Sequence, residues 1–401
     1  METFKGLVSA QVNARKDFPS VKSEKLKVIR KNTEVTISHA VIGEKYMDSK
    51  IWYVLDNNCF VWSGAISTTS AIPLIEKKLI VTADDIGIVH EVDVGAQLAL
   101  YHGWINSIAV LVNKPNDVNG ENLRSFVESL KKYSRKGTSE NLFETSLIGL
   151  HFTITSGSPI VDPETVPALV DEKNHFLGFQ KFSREYEKPE VVEQVKIEFE
   201  AQYQKFKNIF GREPDHLTSH HDIHTFNKPL FCFFHNWSVE KGIPIRSHRF
   251  LPSIKRFMYD AIAMSPSRVD LPSIDRMNRW ESEIRKEPSE GPEHTYVGHY
   301  GPIPPFGINN YDTAVNKKHK RLRKWMRDFL ISKDSKREIL IHLMKSGFRD
   351  QRDFKKSYAY LEAEYPGMEV NYFDGRVAEY LSLQRNSLWK PDSSFILVAR
   401  S

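Results

Sequence analysis

The hydrophobic pattern divides the chain into two parts that differ in period. Over the first seventy residues the apolar runs are short and closely spaced, lack a helical repeat, and fall at 7–12, 35–37, 51–54 and 59–62. The last two runs are separated by Asp56, Asn57 and Asn58, a hairpin-turn signal because Asn and Asp tolerate positive φ. We therefore predict that residues 1–70 form a small all-β barrel, followed by a short linker.

From residue 71 onward, strand-like and helix-like patterns alternate. The predicted strands lie at 79–83, 105–112, 147–152 and 215–221, and the predicted helices at 90–102, 121–133 and 192–209. Gly211 is expected to end the third helix. Strands that alternate with helices form a mainly parallel sheet, so residues 71–401 are predicted to be an α/β domain, with closure into a barrel left open.

Composition is that of an ordinary folded protein. The chain has 401 residues, 40% hydrophobic and 27% charged, which predicts two domains, or a large barrel plus a small module. The net charge of +5 is too small and scattered for a nucleic-acid-binding surface. Two cysteines in different predicted domains argue against a structural disulfide. Without a secretory signal or a run of about 18 apolar residues, the expectation is a cytoplasmic protein without membrane spans.

Acidic and histidine residues cluster where predicted strands end. Asp84 and Asp85 close the first α/β strand, and His151 lies in the third. The fourth strand ends in a cluster that contains His220, His221, Asp222 and His224. Taken alone, the acid pair is more typical of a turn or a helix N-cap. Because chemistry in an α/β barrel sits at the carboxyl ends of strands, the clusters together predict a divalent metal site with a free carboxylate as base.

The segments that carry these clusters resemble the YdjC-like carbohydrate deacetylases, the family that includes chitooligosaccharide deacetylase. The matching segments are 82–87 (TADDIG), 149–155 (GLHFTIT) and 211–224 (GREPDHLTSHHDIH). The corresponding family patterns are N-A-D-D-F-G, G-x-H-x-x-L-T and H-x-D-S-H-H-H-x-H. The resemblance implies a TIM-like (β/α) barrel that removes the N-acetyl group from an N-acetylated amino sugar or oligosaccharide.

The resemblance also implies a role for each matching residue. Asp85, His151 and His220 would bind the metal, and Asp84 would be the general base. The residues implied to orient these groups or to contact substrate are His221, His224 and Arg246. The expected cofactor is a divalent metal, Mg²⁺ or Zn²⁺ first, although mixed oxygen and nitrogen ligands also admit Mn²⁺ and Ni²⁺.

The chain departs from the family pattern at several positions. Thr82 stands for the usual Asn, Thr218 for Asp, and Asp222 for the third histidine of the run. The family also has a late His-Pro after a strand; the strand predicted at 368–374 has no histidine, and His299 is the candidate to replace it. These departures leave two rival functions open: a metal-holding carbohydrate- or wall-binding protein without turnover, and a different metallohydrolase such as a peptide amidase.

The N-terminal part resembles bacterial SH3-like domains over residues 7–68, through segments such as VNAR, RKNTEV and VWSGAI. The resemblance implies a peptide or cell-wall ligand. Trp52, Tyr53 and Trp62 either line a groove or fill the small core. The partners expected are thus the N-acetylated sugar and this second ligand, with no nucleic acid and no membrane, and a homo-oligomer is left open.

Three further segments carry weaker predictions. Residues 317–337 are basic with apolar residues at helical spacing, and an amphipathic helix packed on the barrel is favoured over a surface for an anionic partner. Irregular segments at 171–189 and 255–305 either shape a substrate groove or are ordinary loops.

Overall fold

A computed structural model describes residues 2–114, 117–178, 188–248, 274–284, 296–299, 311–346 and 371–385. Most of the predicted irregular segment at 255–305 and residues 179–187 of the segment at 171–189 lie outside the described residues. Within the described part the chain is a mixed α/β protein built on two sheets, one antiparallel and one parallel.

The N-terminal residues form the antiparallel sheet. Its seven strands are β1 (Phe4–Val8), β2 (Val12–Arg15), β3 (Lys25–Ile29), β4 (Glu34–Tyr46), β5 (Ser49–Leu55), β6 (Phe60–Trp62) and β7 (Ile66–Thr68). They lie in the order β3-β2-β6-β5-β4-β1-β7. The turn predicted at 56–58 joins β5 to β6, and Asn58 there has a φ of 60°. The all-β character predicted for this part is therefore confirmed.

The second sheet is parallel and comes from the rest of the chain. Its six strands are β8 (Lys78–Ile86), β9 (Ser107–Val110), β10 (Leu147–Phe152), β11 (Leu217–Ser219), β12 (Tyr296–His299) and β13 (Lys336–Ile341). They lie in the order β11-β10-β9-β8-β13-β12, and every neighbouring pair is parallel. A further parallel bridge joins Leu217 to Ile245, beyond the β11 edge. The predicted parallel sheet is confirmed.

Helices connect the strands of the parallel sheet. The described helices are α1 (His90–Tyr101), α2 (Glu121–Lys132), α3 (Leu142–Thr145), α4 (Pro189–Phe210), α5 (Lys228–Lys241), α6 (Ile274–Ile284), α7 (Tyr311–Ile331) and α8 (Asn371–Gln384). The three helices predicted after β8, β9 and β10 are present. Helix α4 ends at the predicted place because Gly211 has a φ of 67°, a left-handed conformation that favours glycine.

The predicted helix at 317–337 is only partly correct. Its apolar residues are buried as part of α7, so the amphipathic interpretation holds, but the helix ends at Ile331. Lys77 Nζ donates to the carbonyl oxygens of Ser332 and Asp334 at 2.6 and 2.7 Å, and these bonds fix the turn that follows the helix. Residues 336–337 therefore begin β13 instead of continuing the helix.

The strand predicted at 368–374 is wrong where the structure can be compared with it. Residues 368–370 lie outside the described part, and residues 371–374 belong to helix α8. The apolar residues continue at helical spacing through Val377 and Tyr380, both buried, so the helical period outweighs the short strand-like run. The last described strand is thus β13, about thirty residues earlier in the chain than predicted.

The N-terminal sheet has a small hydrophobic core of its own and also contributes to the main core of the protein. Phe18, Trp52 and Phe60 of the N-terminal residues belong to the same buried cluster as Leu322 and Phe329 of α7. Trp52 is 1% exposed, so the prediction that it fills the core is confirmed, and the alternative that it lines a groove is wrong. The N-terminal sheet therefore packs against the helix that leads into β13.

Polar contacts join the same two surfaces. Arg323 Nη2 donates to Asp17 Oδ2 at 3.2 Å, and Arg327 Nε donates to the carbonyl oxygen of Lys16 at 2.9 Å. His39 Nε2 lies 3.3 Å from the carbonyl oxygen of Leu330, and burial lowers the pKa of this imidazole to about 4. His39 is therefore neutral at pH 7, which suits its buried position between the sheet and α7.

We expect Gly95→Ala in α1 to destabilise the protein. A Cβ at this position would lie 2.9 Å from the backbone nitrogen of Lys345 and 3.2 Å from Met344 Cα. Better helix propensity would contribute about 1 kcal/mol, whereas overpacking against backbone costs about 1–3 kcal/mol. The expected result is a lower free energy of unfolding in urea, with exposed His90→Ala unchanged as the control. An increase in stability for Gly95→Ala would contradict the close packing of α1 on this segment.

Candidate metal centre

The site begins at the C-terminal end of β8, where Asp84 and Asp85 are both buried. In a regular strand, successive side chains point to opposite faces. Here the pairing of β8 with β9 shifts register between Ala83 and Ile86, and Asp85 has a φ of 64°. This bulge brings both carboxylates toward His151, whose Nε2 lies 3.2 Å from Asp85 Oδ1 and 3.9 Å from Asp84 Oδ2.

His151 in β10 is held by Thr218 of the neighbouring strand β11. The two residues are partners in the parallel ladder, and His151 Nδ1 lies 2.6 Å from Thr218 Oγ1. The Thr218 hydroxyl donates to the carbonyl oxygen of Leu150 at 3.4 Å, so it accepts from the imidazole. His151 therefore carries its proton on Nδ1 and presents the lone pair of Nε2 to the site, which is the form that binds a metal.

His220 completes a group of three residues that fits a divalent ion. It directly follows β11, and its Nδ1 lies 2.9 Å from Asp85 Oδ1. One ligand atom from each of Asp85, His151 and His220 lies within 4.8 Å of the other two, and all three residues are buried. Two atoms bound to one ion at about 2.1 Å lie about 3.0–3.4 Å apart, which is near the separations at Asp85 Oδ1. The donor set is one that several divalent metals accept.

Arg376 balances the charge of Asp85. It lies on α8, and its Nη2 donates to Asp85 Oδ2 at 2.7 Å, which leaves Oδ1 facing the two imidazoles. Burial by itself raises the pKa of Asp85, but the charges of His220 and Arg376 hold that pKa well below its ordinary value. Asp85 is therefore an anion with one oxygen held by Arg376 and the other directed at His151 and His220.

Arg246 holds Asp84 in a bidentate ion pair. Its Nη1 and Nη2 donate to the two carboxylate oxygens of Asp84 at 2.6 and 2.8 Å. The other edge of the guanidinium donates from Nε and Nη2 to Glu338 Oε1 at 3.2 and 2.8 Å, and Thr82 Oγ1 donates to the same oxygen at 2.7 Å. Burial disfavours this charge, but Asp84 and Glu338 raise the pKa of Arg246 well above its ordinary value. Arg246 thus fixes the orientation of the Asp84 carboxylate.

The other histidines of the cluster bond to hydroxyl groups nearby. His221 Nδ1 lies 2.8 Å from Thr155 Oγ1, and His224 Nδ1 lies 2.6 Å from Ser219 Oγ. Asp222 has a φ of 52°, and loss of hydration raises its pKa to about 6 although the charge of Arg246 opposes the shift. The roles expected for His221 and His224 remain predictions. So does that of His299, which ends β12 and pairs with Leu340 of β13.

His342 was not among the predicted site residues, because a late histidine was expected only after the strand predicted at 368–374. His342 is the first residue after β13, the strand that pairs with β8. Its Nε2 lies 3.7 Å from Asp85 Oδ2. The signal was present in the sequence, since the apolar run at 339–341 is followed directly by a histidine. The helical spacing predicted at 317–337 runs into this strand and hides where it begins.

The loop that carries Thr155 is held by a buried acid of α4. Glu198 accepts from the backbone nitrogen of Ile160 at 3.0 Å, and Gln202 bonds to both backbone groups of Thr153. Burial raises the pKa of Glu198 to about 7 against the effect of these donors. This carboxyl therefore gains a proton on folding at mildly acidic pH.

We expect stability to fall as pH rises from about 4.5 to 7 because of Glu198. The folded state binds more protons than the unfolded state over this window, so the sign follows from linkage, and the full effect is on the order of 3 kcal/mol. Glu198→Gln should remove the Glu198 contribution from the slope of unfolding free energy against pH, while Asp93 and Asp222, whose pKa values burial also raises, keep theirs. Glu200→Gln, an exposed acid on the same helix, is the control and should keep the wild-type slope. An unchanged slope in Glu198→Gln would contradict the assignment.

Fold and site together define an α/β protein with a buried Asp-His-His group at the C-terminal edge of a parallel sheet. A family profile described as "YdjC-like protein" matches residues 78–360, well over half of the chain. The chain therefore belongs to the YdjC-like family, as the motifs of β8, β10 and β11 predicted. The match begins where β8 begins, so the N-terminal sheet lies outside it.

Curated relatives are similar over part of their length. A chitooligosaccharide deacetylase of Proteus mirabilis (strain HI4320) is 31% identical over 173 residues, which are 43% of this chain and 60% of that protein. A chitooligosaccharide deacetylase of Citrobacter koseri is 30% identical over 175 residues, 44% of this chain and 61% of that protein. The chain thus spans about three-fifths of the length of the curated relatives it matches.

One solved structure is also similar. It comes from Enterococcus faecalis V583, is described as a "putative cellobiose-phosphate cleavage protein", and is 23% identical with a TM-score of 0.46, covering 77% of this chain and 99% of that chain. Separately, among the described residues no helix is long and apolar enough to cross a membrane.

Proposed function

We propose that this chain is a metal-dependent carbohydrate N-deacetylase that hydrolyses the acetamide of an N-acetylated amino sugar or oligosaccharide. The observation that carries the proposal is the buried group of Asp85, His151 and His220 beside the oriented carboxylate of Asp84. The names of its partial relatives support the same substrate class, since they are chitooligosaccharide deacetylases.

Each residue at the centre has a role in the proposed reaction. Asp85, His151 and His220 would hold the divalent ion, which supplies Lewis-acid polarisation of the acetamide carbonyl and makes water a stronger nucleophile. Asp84 takes a proton from the attacking water, and Arg246 keeps its carboxylate pointed at the site. Water adds to the carbonyl carbon and the C–N bond breaks, which gives acetate and a free amine.

His342 is placed to deliver the proton that the leaving amine needs. It directly follows the strand next to β8, and its Nε2 lies 3.7 Å from Asp85 Oδ2. Amide nitrogen is a poor leaving group until it is protonated, so the reaction needs a proton donor close to the leaving nitrogen. The missing late His-Pro favours a binding protein without turnover, and a histidine after β13, although Leu343 and not Pro follows it, supports turnover.

The larger architecture is part of the proposal. We assign residues 71–401 to a TIM-like barrel, supported by six parallel strands, the further bridge at Ile245 and the site at the carboxyl edge. Residues 1–70 are assigned to an SH3-like module, supported by the small antiparallel sheet. Tyr53 and Trp62, which are partly exposed, are where we would look for its peptide or cell-wall ligand.

The test is acetate release from short oligomers of N-acetylglucosamine. Protein is stripped with a chelator and assayed before and after addition of Mg²⁺, Zn²⁺, Mn²⁺ or Ni²⁺. The expected result is acetate and free amine in equal amounts, only with metal. Metal and sugar binding without acetate release would support the binding protein, and release from acetylated peptides alone would support a peptide amidase.

A further inference from the structure

A buried ion pair joins α7 to α8 behind the metal centre. Lys318 Nζ lies 2.6 Å from Glu379 Oε1, and the two side chains are 4% and 3% exposed. Burial lowers the pKa of Lys318 and raises that of Glu379, so neither charge is favoured there by its surroundings. A buried ion pair is poor support for stability, because desolvation can exceed the attraction.

The second oxygen of this carboxylate bonds to the candidate proton donor. The backbone nitrogen of His342 donates to Glu379 Oε2 at 2.6 Å. Pairing of β13 with β8 ends at Ile341, opposite Ala83, so the amide of His342 is the first one beyond this pairing. Glu379 supplies the acceptor for that amide, and a carboxylate is a stronger acceptor than a carbonyl.

The same helix face also contacts the metal-binding group. Arg376 precedes Glu379 by three residues on α8, which places the two side chains on one face. Arg376 donates to Asp85 Oδ2, and His342 Nε2 lies 3.7 Å from that same oxygen. One turn of α8 thus holds Asp85 through Arg376 and holds the backbone amide of His342 through Glu379.

We infer that Glu379, with Lys318 as its counter-charge, is a positioning residue that sets the direction of the His342 imidazole. The inference rests on the proposed function, in which His342 protonates the leaving amine. The Glu379 carboxylate fixes the His342 amide, and the amide fixes the backbone from which the imidazole projects. The ion pair keeps the carboxylate ionised and in place, which explains why a costly buried charge pair sits at this point.

The test compares two double variants of the full-length protein. Lys318→Met with Glu379→Leu fills the same space but removes the acceptor for the His342 amide. Lys318→Gln with Glu379→Gln removes both charges but keeps an amide oxygen for His342, and its NH₂ group can donate to Gln at position 318. Replacing both partners together avoids leaving a buried charge unpaired.

The Met/Leu variant should lose about 10- to 100-fold in kcat for acetate release, with KM and the metal Kd within about twofold of wild type. Hydrogen exchange at the amide of His342 should become faster in this variant. In the Gln/Gln variant, kcat and the protection of the His342 amide from exchange should both be close to their wild-type values. Equal losses in the two variants, or a loss that follows the melting temperature alone, would show that the pair is only structural and would overturn the inference.

The exchange measurement separates this inference from the proposed function. If wild-type protein releases no acetate, the proposed function fails. The His342 amide should still be protected in wild type and in the Gln/Gln variant but exposed in the Met/Leu variant. If the amide exchanges at the same rate in all three proteins, Glu379 does not position His342, whatever the activity.

Discussion

Asp85→Asn is expected to abolish both divalent-metal binding and acetate release. Asp85 Oδ1 faces both imidazoles, so the substitution removes the anionic ligand at the middle of the group. Stabilisation by a metal is worth several kcal/mol in the transition state, so activity should fall by at least about 10³-fold. Asn tolerates positive φ well, and the φ of 64° at this position should therefore not prevent folding.

Metal content by elemental analysis and affinity by calorimetry are the direct measurements for Asp85→Asn. Circular dichroism and the melting temperature show whether the variant is folded. Asp85→Asn protein that keeps bound metal at the wild-type level would place the ion elsewhere. His342→Ala is a useful comparison because it changes a neighbour of Asp85 that is outside the three-residue group.

Asp84→Asn is expected to keep the metal and to lose turnover. The neutral amide cannot accept a proton from water, and loss of a general base costs about 10²- to 10⁴-fold in rate. Because Arg246 still has Glu338 as a partner, the guanidinium should remain in place. We therefore expect a fall in kcat of this size, with KM and metal affinity within a fewfold of wild type.

Arg246→Lys is the matched variant for Asp84→Asn. Lys keeps the positive charge but not the fork that grips both oxygens of Asp84, so a smaller fall in kcat is expected. Steady-state kinetics with saturating metal gives both values. An Asp84→Asn protein that keeps more than about a tenth of wild-type kcat would assign the base to another group.

The parts of the site that follow from strand ends were predictable from the sequence. Asp85, His151 and His220 each end or follow an apolar run, and parallel strands bring such ends to one edge. The bulge at Asp85 was not predictable, because a regular strand would send Asp84 and Asp85 to opposite faces. Only tertiary pairing shows that both carboxylates face His151.

Residues that reach the site from helices were beyond the sequence pattern. Arg376 binds Asp85 across 291 residues of chain, and a basic residue in an amphipathic helix is normally solvated. His342 was not predicted because the end of α7 depends on Lys77, which lies far away in sequence. Helix boundaries set by distant side chains cannot be located from periodicity alone.

The N-terminal sheet and α7 bury their apolar surfaces against each other, and α7 leads directly into the strand that carries Glu338 and ends at His342. A chimera in which another domain replaces residues 1–70 would leave Leu322 and Phe329 facing a foreign surface. Residues 1–70 should therefore be transferred to another protein together with helix α7. This packing also holds the N-terminal sheet in a fixed position relative to the Asp-His-His group.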